Sequence, residues 1–572
     1  MLTRLPWAFA LGALLGCRIE RHTPAAAADL VLRHGVIWTG SAARPWAEAV
    51  AIRDGRLLYV GDDSGVARFL SPQARVLDLS GRMVLPGFQD SHAHPAAGGR
   101  ELGECNLYDA KSPQEVEGII RAYVAAHPDL RWIRGNGWQL PVFPNANPGK
   151  ALLDRLIPDR PAFFWSADGH SAWVNSRALS LAGITSETPN PPNGVIERDA
   201  RTGEPSGTLR EGAADLVASY LPPPTPSERL GAIRRALSEA NRFGLTTITD
   251  ANVSSEDLAA YDALDRRGEL TARVNVALRT DPELPVDSMA AILRGLRARY
   301  RGTDHLTVNT VKLFVDGVIE SHTAALLKPY VGMGDFRGPL VYEPGDLAAR
   351  VATFDRDGFQ IHFHTIGDRA IRVALDAVAF MRRVNGVHDA RPILAHLEVI
   401  DSSDIPRFRE LGAVASFQAY WAQADEYITQ LTLPVLGPER SGHIYPIGSV
   451  LASGAVVAGG SDWTVSSLNP LDAIQVGITR RDVQAGAGPG WLPEERADLP
   501  RMLAAYTINA AYAIHAEHET GTLEAGKLAD LIVLDRNLFD VPPDDLHRVR
   551  VLLTLLDGHP VWRDSTFTGI VP

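Results

Sequence analysis

The chain has 572 residues, too many for one compact core, so at least two structural units are expected. Hydrophobic residues make up 45% and charged residues 22%, ordinary globular values that argue against extensive disorder. A formal net charge of −12 with no Lys/Arg-rich tract excludes the electrostatic footprint of a nucleic-acid binder. Only Cys17 and Cys105 are present, which excludes a disulfide framework and a cysteine-ligated zinc site.

The chain opens with MLTRLPWAFALGALLGC, a short basic start at Arg4 followed by an apolar run too short to span a bilayer comfortably. Residues 1–22 therefore read as an export signal. Leu14-Leu15-Gly16-Cys17 resembles a bacterial lipoprotein signal cleaved before Cys17, which would then carry the lipid; a plain secretory signal is the other reading. The expectation is an exported, periplasmic lipoprotein whose catalytic body is soluble. Cys105 has no visible histidine partner and reads as a small buried residue.

Residues 28–82 hold short alternating runs, LVLRHGVIW, AVAIRDGRLLYVG and ARVLDLSGRMVLPG, broken by Gly and Asp turns. The end of the chain, 513–572, echoes them with LADLIVLDRN, VRVLLTLLDGHPVW and STFTGIV. Together they predict one small β-sandwich domain built from both chain ends. Between them, 83–512 alternates apolar β-branched runs with amphipathic helical patterns. Eight strands are expected at Met83–Phe88, Thr246–Asp250, Arg273–Leu278, Thr310–Val315, Gln360–Thr365, Pro392–Leu397, Val414–Gln418 and Val456–Gly460. Eight β-α units give an α/β fold, a (β/α)8 TIM barrel with its chemistry at the carboxyl ends of the strands. The long interval from about residue 100 to 245 reads as an inserted cap between the first and second barrel strands. Its Trp132, Trp138, Trp165 and Trp173 point to an apolar, aromatic substrate pocket.

Polar residues at the strand ends carry the chemistry. Two histidines one residue apart, His92 and His94, point to the same side of an extended chain and can reach one ion. Lys312 lies in the fourth strand, His362 and His364 in the fifth, His396 in the sixth, and Asp462 follows the eighth. Imidazole and carboxylate ligands suit zinc, with manganese, iron and nickel as alternatives. Asp462 can ligate, accept a proton from water, or both. As an ammonium Lys312 is a poor ligand, but carboxylated by carbon dioxide it would bridge two metals.

The stretches VLPGFQDSHAHP, DGHSAWVNSRAL, GEPSGTLREGA, VKLFVDGVIESHTAAL, HTIGDRA, LAHLEVI, GGSDWTVSSLNPL and GTLEAGKLADLIVLD resemble the amidohydrolase superfamily. The resemblance is closest to its amidohydrolase 3 (YtcJ-like) branch, similar to N-substituted formamide deformylases, and runs from about residue 30 to the end. It implies one or two divalent metals, with His92, His94 and Asp462 on the more buried ion, carboxylated Lys312 as bridge, and His364 and His396 on the outer ion. His364 is chosen over His362 because it directly precedes the xIGDRA pattern. Asp462 would be the general base and later protonate the leaving amine, with His170 contacting a substrate oxygen. Asn175, Arg210, Glu211, Asp316 and Trp463 join His170 as candidate substrate-binding residues. The implied reaction is hydrolysis of a small-molecule N-formyl or N-acyl amine. A lactone, ester, carbamate or cyclic amide is the alternative, and a non-catalytic binding protein would be marked by missing ligands, whereas all six positions are filled. Relatives of this kind are often homo-oligomers.

Overall fold

The computed structural model describes residues 27–484 and 488–567. The export segment and Cys17 lie outside the described residues.

Eight parallel strands form the central sheet in sequential order: Phe88–Ala93, Leu245–Val253, Arg273–Arg279, Leu306–Phe314, Gln360–Thr365, Ile393–His396, Val414–Phe417 and Val456–Gly459. Their side chains are almost all buried, as expected where helices cover one face and the barrel interior the other. Helix Pro226–Arg242 starts at a capping box in which Thr225 and Glu228 satisfy each other's backbone N–H groups. Helix Asp368–Asn385 buries Ile371, Leu375, Val378 and Met381, the stripe that its sequence spacing predicts.

The first expected strand is corrected. Met83–Pro86 pairs with Val36–Trp38 and Leu531–Leu534 in the terminal β-domain, and the first barrel strand begins at Phe88. The MVLPGFQD run therefore serves two sheets in succession, with Gly87 between them. A Cβ on Gly87 would lie 2.2 Å from Thr246 Oγ1, so only glycine fits where the chain crosses beside the second strand.

Both chain ends build the β-domain. One sheet of four strands comes from the amino end, and a second of six combines three amino-terminal with three carboxyl-terminal strands. Two hairpins turn at Asp54-Gly55 (φ 48° and 75°) and Asp557-Gly558 (φ 51° and 71°), the positive-φ pair that two-residue hairpins require. Leu30, Val50, Leu77, Leu531, Val533 and Leu553 share one core between the sheets. STFTGIV forms no strand within its described residues.

The insertion between the first and second strands is an α/β cap with its own mixed six-stranded sheet. Trp138 and Trp173 are wholly buried in it, and their indole N–H groups donate to Phe164 O at 3.0 Å and Gly149 O at 3.1 Å. Trp132 and Trp165 pack against the cap's second core. The cap tryptophans thus stabilise the cap and do not line the cavity below it. Cys105 is fully buried in the cap, and burial pushes its thiol up to about 12.

Where the barrel base meets the β-domain, buried charges are matched. Arg273 donates to both oxygens of Asp530, at 2.8 and 3.2 Å, and also pairs with Asp557. His305 Nε2 lies 2.6 Å from the other Asp557 oxygen. Gln360 donates to Arg391 O at 2.7 Å and Ala513 O at 2.6 Å, tying the fifth strand to the final helices.

Candidate metal centre

At the seam between the eighth and first strands, two backbone bonds zip the ligand-bearing segments together. Asp462 N donates to His92 O at 2.7 Å, and His94 N donates to Trp463 O at 2.9 Å. Ser91 Oγ adds a bond to Gly459 O at 2.9 Å. The result brings together His92, His94 and Asp462, whose ligand atoms all lie within 4.8 Å of one another. Asp462 Oδ1 is 2.9 Å from His94 Nε2 and 3.4 Å from His92 Nε2. Asp462 (φ 51°) and His396 (φ 79°) both occupy the left-handed region, which costs on the order of 1–3 kcal/mol per non-glycine residue and persists only where surrounding bonds impose it.

Around this trio the other expected residues gather. Lys312 Nζ is 3.3 Å from His92 Nε2. His396 Nδ1 lies 2.8 Å from Gln418 Oε1; the amide oxygen accepts its proton and leaves Nε2 with the lone pair. His364 and His396 rings stand 4.5 Å apart, and both line the cavity with Asp462. His362 sits one layer deeper, fully buried, with Nε2 2.7 Å from His92 Nδ1. The fifth strand therefore presents His364 to the cavity and uses His362 to hold His92.

The donor set fits a cation. His364 Nδ1, His396 Nε2 and Asp462 Oδ1 are buried and make no hydrogen bond of sound geometry, which is costly unless another partner is bound. Asp316 Oδ1 stands 3.5 Å from His364 Nδ1, at the outer limit of hydrogen bonding. Burial would raise the Asp462 carboxyl, but the His92 and His94 imidazoles outweigh it and hold it well below the ordinary range. Burial lowers His92, His364 and His396, keeping them neutral as ligands require, and pushes the Lys312 amine down to about 7.

The candidate substrate-binding residues divide. His170 and Trp463 line the cavity. Gly98 lies so close under Trp463 that a Cβ there would meet the indole at 2.5 Å. The other four do not line the cavity and bond to neighbouring groups of the protein. Glu211 accepts from Thr323 Oγ1 at 2.7 Å and faces His170 Nδ1 at 3.0 Å. Burial would lower His170, but Glu211 outweighs it and raises the imidazole to about 9. Asn175 caps a cap helix and donates to Ile157 O and Arg160 O. Arg210 binds Glu197, Ser171 and Ala146 O within the cap sheet. Asp316 accepts from the backbone N–H groups of Ala325, Ile366 and Gly367, anchoring the turn after His364. Asn175, Arg210 and Asp316 thus bond to the scaffold, and Glu211 holds His170.

Three groups were not singled out by the sequence: Gln418, Trp421 and Asp90. Gln418 and Trp421 follow the seventh strand, the position where barrel chemistry concentrates, and Trp421 stacks on His396 at 5.6 Å. Asp90 Oδ1 accepts from His92 N at 3.0 Å and Ser461 N at 3.1 Å, binding the two ligand segments from below.

A parallel eight-stranded barrel carrying His, Lys and Asp at its mouth defines a metal-dependent hydrolase. Residues 75–562 match the Amidohydrolase family, and the chain belongs to it. It is similar to LONG AFTER FAR-RED 3 of Arabidopsis thaliana, 30% identical over 94% of this chain and 92% of that protein. It is also similar to the N-substituted formamide deformylase of Arthrobacter pascens, 28% identical over 93% of this chain and 97% of the relative. Among solved structures, a metal-dependent hydrolase from Pyrococcus furiosus superposes with a TM-score of 0.69 at 25% identity, over 89% of this chain and 99% of the other. The protein is thus a metal-dependent amidohydrolase, directed at carbon–nitrogen bonds.

Proposed function

We propose that the protein hydrolyses a linear amide, an N-formyl or N-acyl amine, in the cavity above His92, His94 and Asp462. The carrying observation is the convergence of unpartnered buried ligand atoms on the floor of a cavity of about 1120 Å³. Likeness to a formamide deformylase along nearly the whole chain supports the substrate class.

His92, His94 and Asp462 would hold one divalent ion, and His364 and His396 a second, with zinc favoured by the imidazole-rich set. When bound, the ions would supply the positive charge that activates water and polarises a carbonyl. A carboxylated Lys312 would join the two sets, its Nζ bonding the carbon of carbon dioxide and releasing a proton to solvent. Asp462 takes the proton from the attacking water and returns it to the leaving nitrogen as the C–N bond breaks. His170, fixed at Nδ1 by Glu211, directs its Nε2–H at the carbonyl oxygen as negative charge grows there.

Primary-amine release from N-formyl, N-acetyl and longer N-acyl amines, using metal-loaded protein and Asp462→Ala, tests this. Release that vanishes in the variant is expected. Intact amides alongside cleaved lactones or aryl esters would overturn it. For the amino terminus, the reading is export with lipid anchorage at Cys17; detergent partitioning that persists in Cys17→Ala would overturn the anchor.

A further inference from the structure

The cavity wall above the metal ligands is rich in hydrogen-bond acceptors and short of cations. Asp168, Glu320, Glu398 and Asp425 all line it, and none forms an ion pair with Lys or Arg among the described residues. Glu320 and Glu398 converge on one hydroxyl: Thr432 Oγ1 lies 2.8 Å from Glu320 Oε1 and 3.4 Å from Glu398 Oε1. Each of the outer two has one oxygen engaged locally. Asp425 Oδ1 accepts from Ile428 N at 2.9 Å, and Asp168 Oδ1 from His170 N at 3.1 Å, while Asp168 Oδ2 is buried without a partner.

A second observation points to a ligand. Gln423, on the same wall, is only 2% exposed, and its Oε1 has no hydrogen-bond partner. A buried amide oxygen left bare costs on the order of 1–3 kcal/mol, so the site is complete only when a donor enters. His170, which lines the same cavity, is already paired with Glu211. Lys111 and Arg242 reach the lining from exposed positions, and Arg242 pairs with Glu239. Trp421, Tyr427 and Tyr445 line the same cavity, and aromatic rings attract positive charge.

A set of acceptors with aromatic faces and no resident counter-ion matches a donor-only cation. We propose that the substrate carries an ammonium or guanidinium group remote from its scissile amide, seated among Asp168, Glu320, Glu398, Asp425 and Gln423. This deepens the amide-hydrolase reading and rests on it for the position of the reacting carbonyl, but the cation seat is separately testable.

Calorimetry with metal-loaded protein compares benzylguanidinium with benzylurea, its neutral isostere, neither of which is to be cleaved. Tighter binding of the guanidinium by about tenfold or more is expected, with the preference lost in Glu320→Gln and reduced in Asp425→Asn, both close to isosteric. Equal or weaker binding of the cation, or a preference untouched by both variants, would overturn the proposal. Turnover of a mono-formylated linear diamine against the matching formylated amino alcohol is the second arm. Faster cleavage of the neutral substrate would overturn the cation seat while sustaining amide hydrolysis. Cation-selective binding without cleavage of either amide would sustain the seat and overturn the amide reading.

Discussion

The two ends of the barrel treat buried polar groups in opposite ways. At the base, Arg273, Asp530, Asp557 and His305 form a closed set in which each charge meets its complement across the β-domain junction. At the mouth, His364, His396 and Asp462 each keep a buried atom without a hydrogen bond of sound geometry, and Gln423 and Asp168 do the same on the cavity wall. Arg273 and Asp530 at the base are buried like the mouth residues His364, His396 and Asp462, so depth does not mark function. Clustering of incompletely bonded atoms does: single atoms such as Asn241 Oδ1 are left bare elsewhere, but at the mouth several line one cavity, where an ion and a ligand would complete them.

The comparison breaks first at Asp462. Asp462→Ala should cut amide turnover by about a thousandfold or more, since it removes both a ligand and the proton carrier, while the apo fold unfolds at nearly the parental temperature. Steady-state amine release and calorimetric melting check the two halves. Arg273→Ala should do the reverse. It leaves the wholly buried Asp530 unpaired and should cost about 3–5 kcal/mol in denaturant unfolding, with metal content per folded chain unchanged.

Gln418→Leu sharpens the contrast, because the Gln418 amide oxygen is engaged by His396 and acts through it. Freed to adopt the other tautomer, His396 should bind metal about 10–100-fold more weakly, read by competition with a chromophoric chelator.

Much of the barrel was legible because its period is simple. The fifth strand, Gln360–Thr365, falls where its apolar run places it, since a strand buried on both faces has no competing pattern. Met83–Phe88 was misassigned because one continuous apolar run feeds two sheets, and sequence alone cannot show that Gly87 marks the transfer. The ligand positions were readable from strand-end polarity, as with His92, His94 and Asp462. Arg210 and Asn175 were not, because a polar residue that binds scaffold carbonyls looks in sequence like one that binds substrate. Trp421 and the acidic wall went unread because they come from separate loops that only the closed barrel brings together.

The smallest effect expected lies at the base and depends on pH. Burial would raise Asp557, but His305 and Arg273 outweigh it and hold its carboxyl below the ordinary range. A carboxyl lowered in the folded state adds stability above its unfolded value of about 3.9 and loses it as pH falls through the folded value. Melting temperature followed from about pH 6 down to 3 should fall less steeply in Asp557→Asn than in the parent.

Elemental analysis of the purified, folded protein beside Asp462→Ala is the most direct measurement. One or two divalent ions per chain, depleted in the variant and restoring amine release when returned to the chelated parent, is the expected result. Full amine release from parent protein shown to be metal-free would contradict the assignment of the barrel mouth as a metal centre.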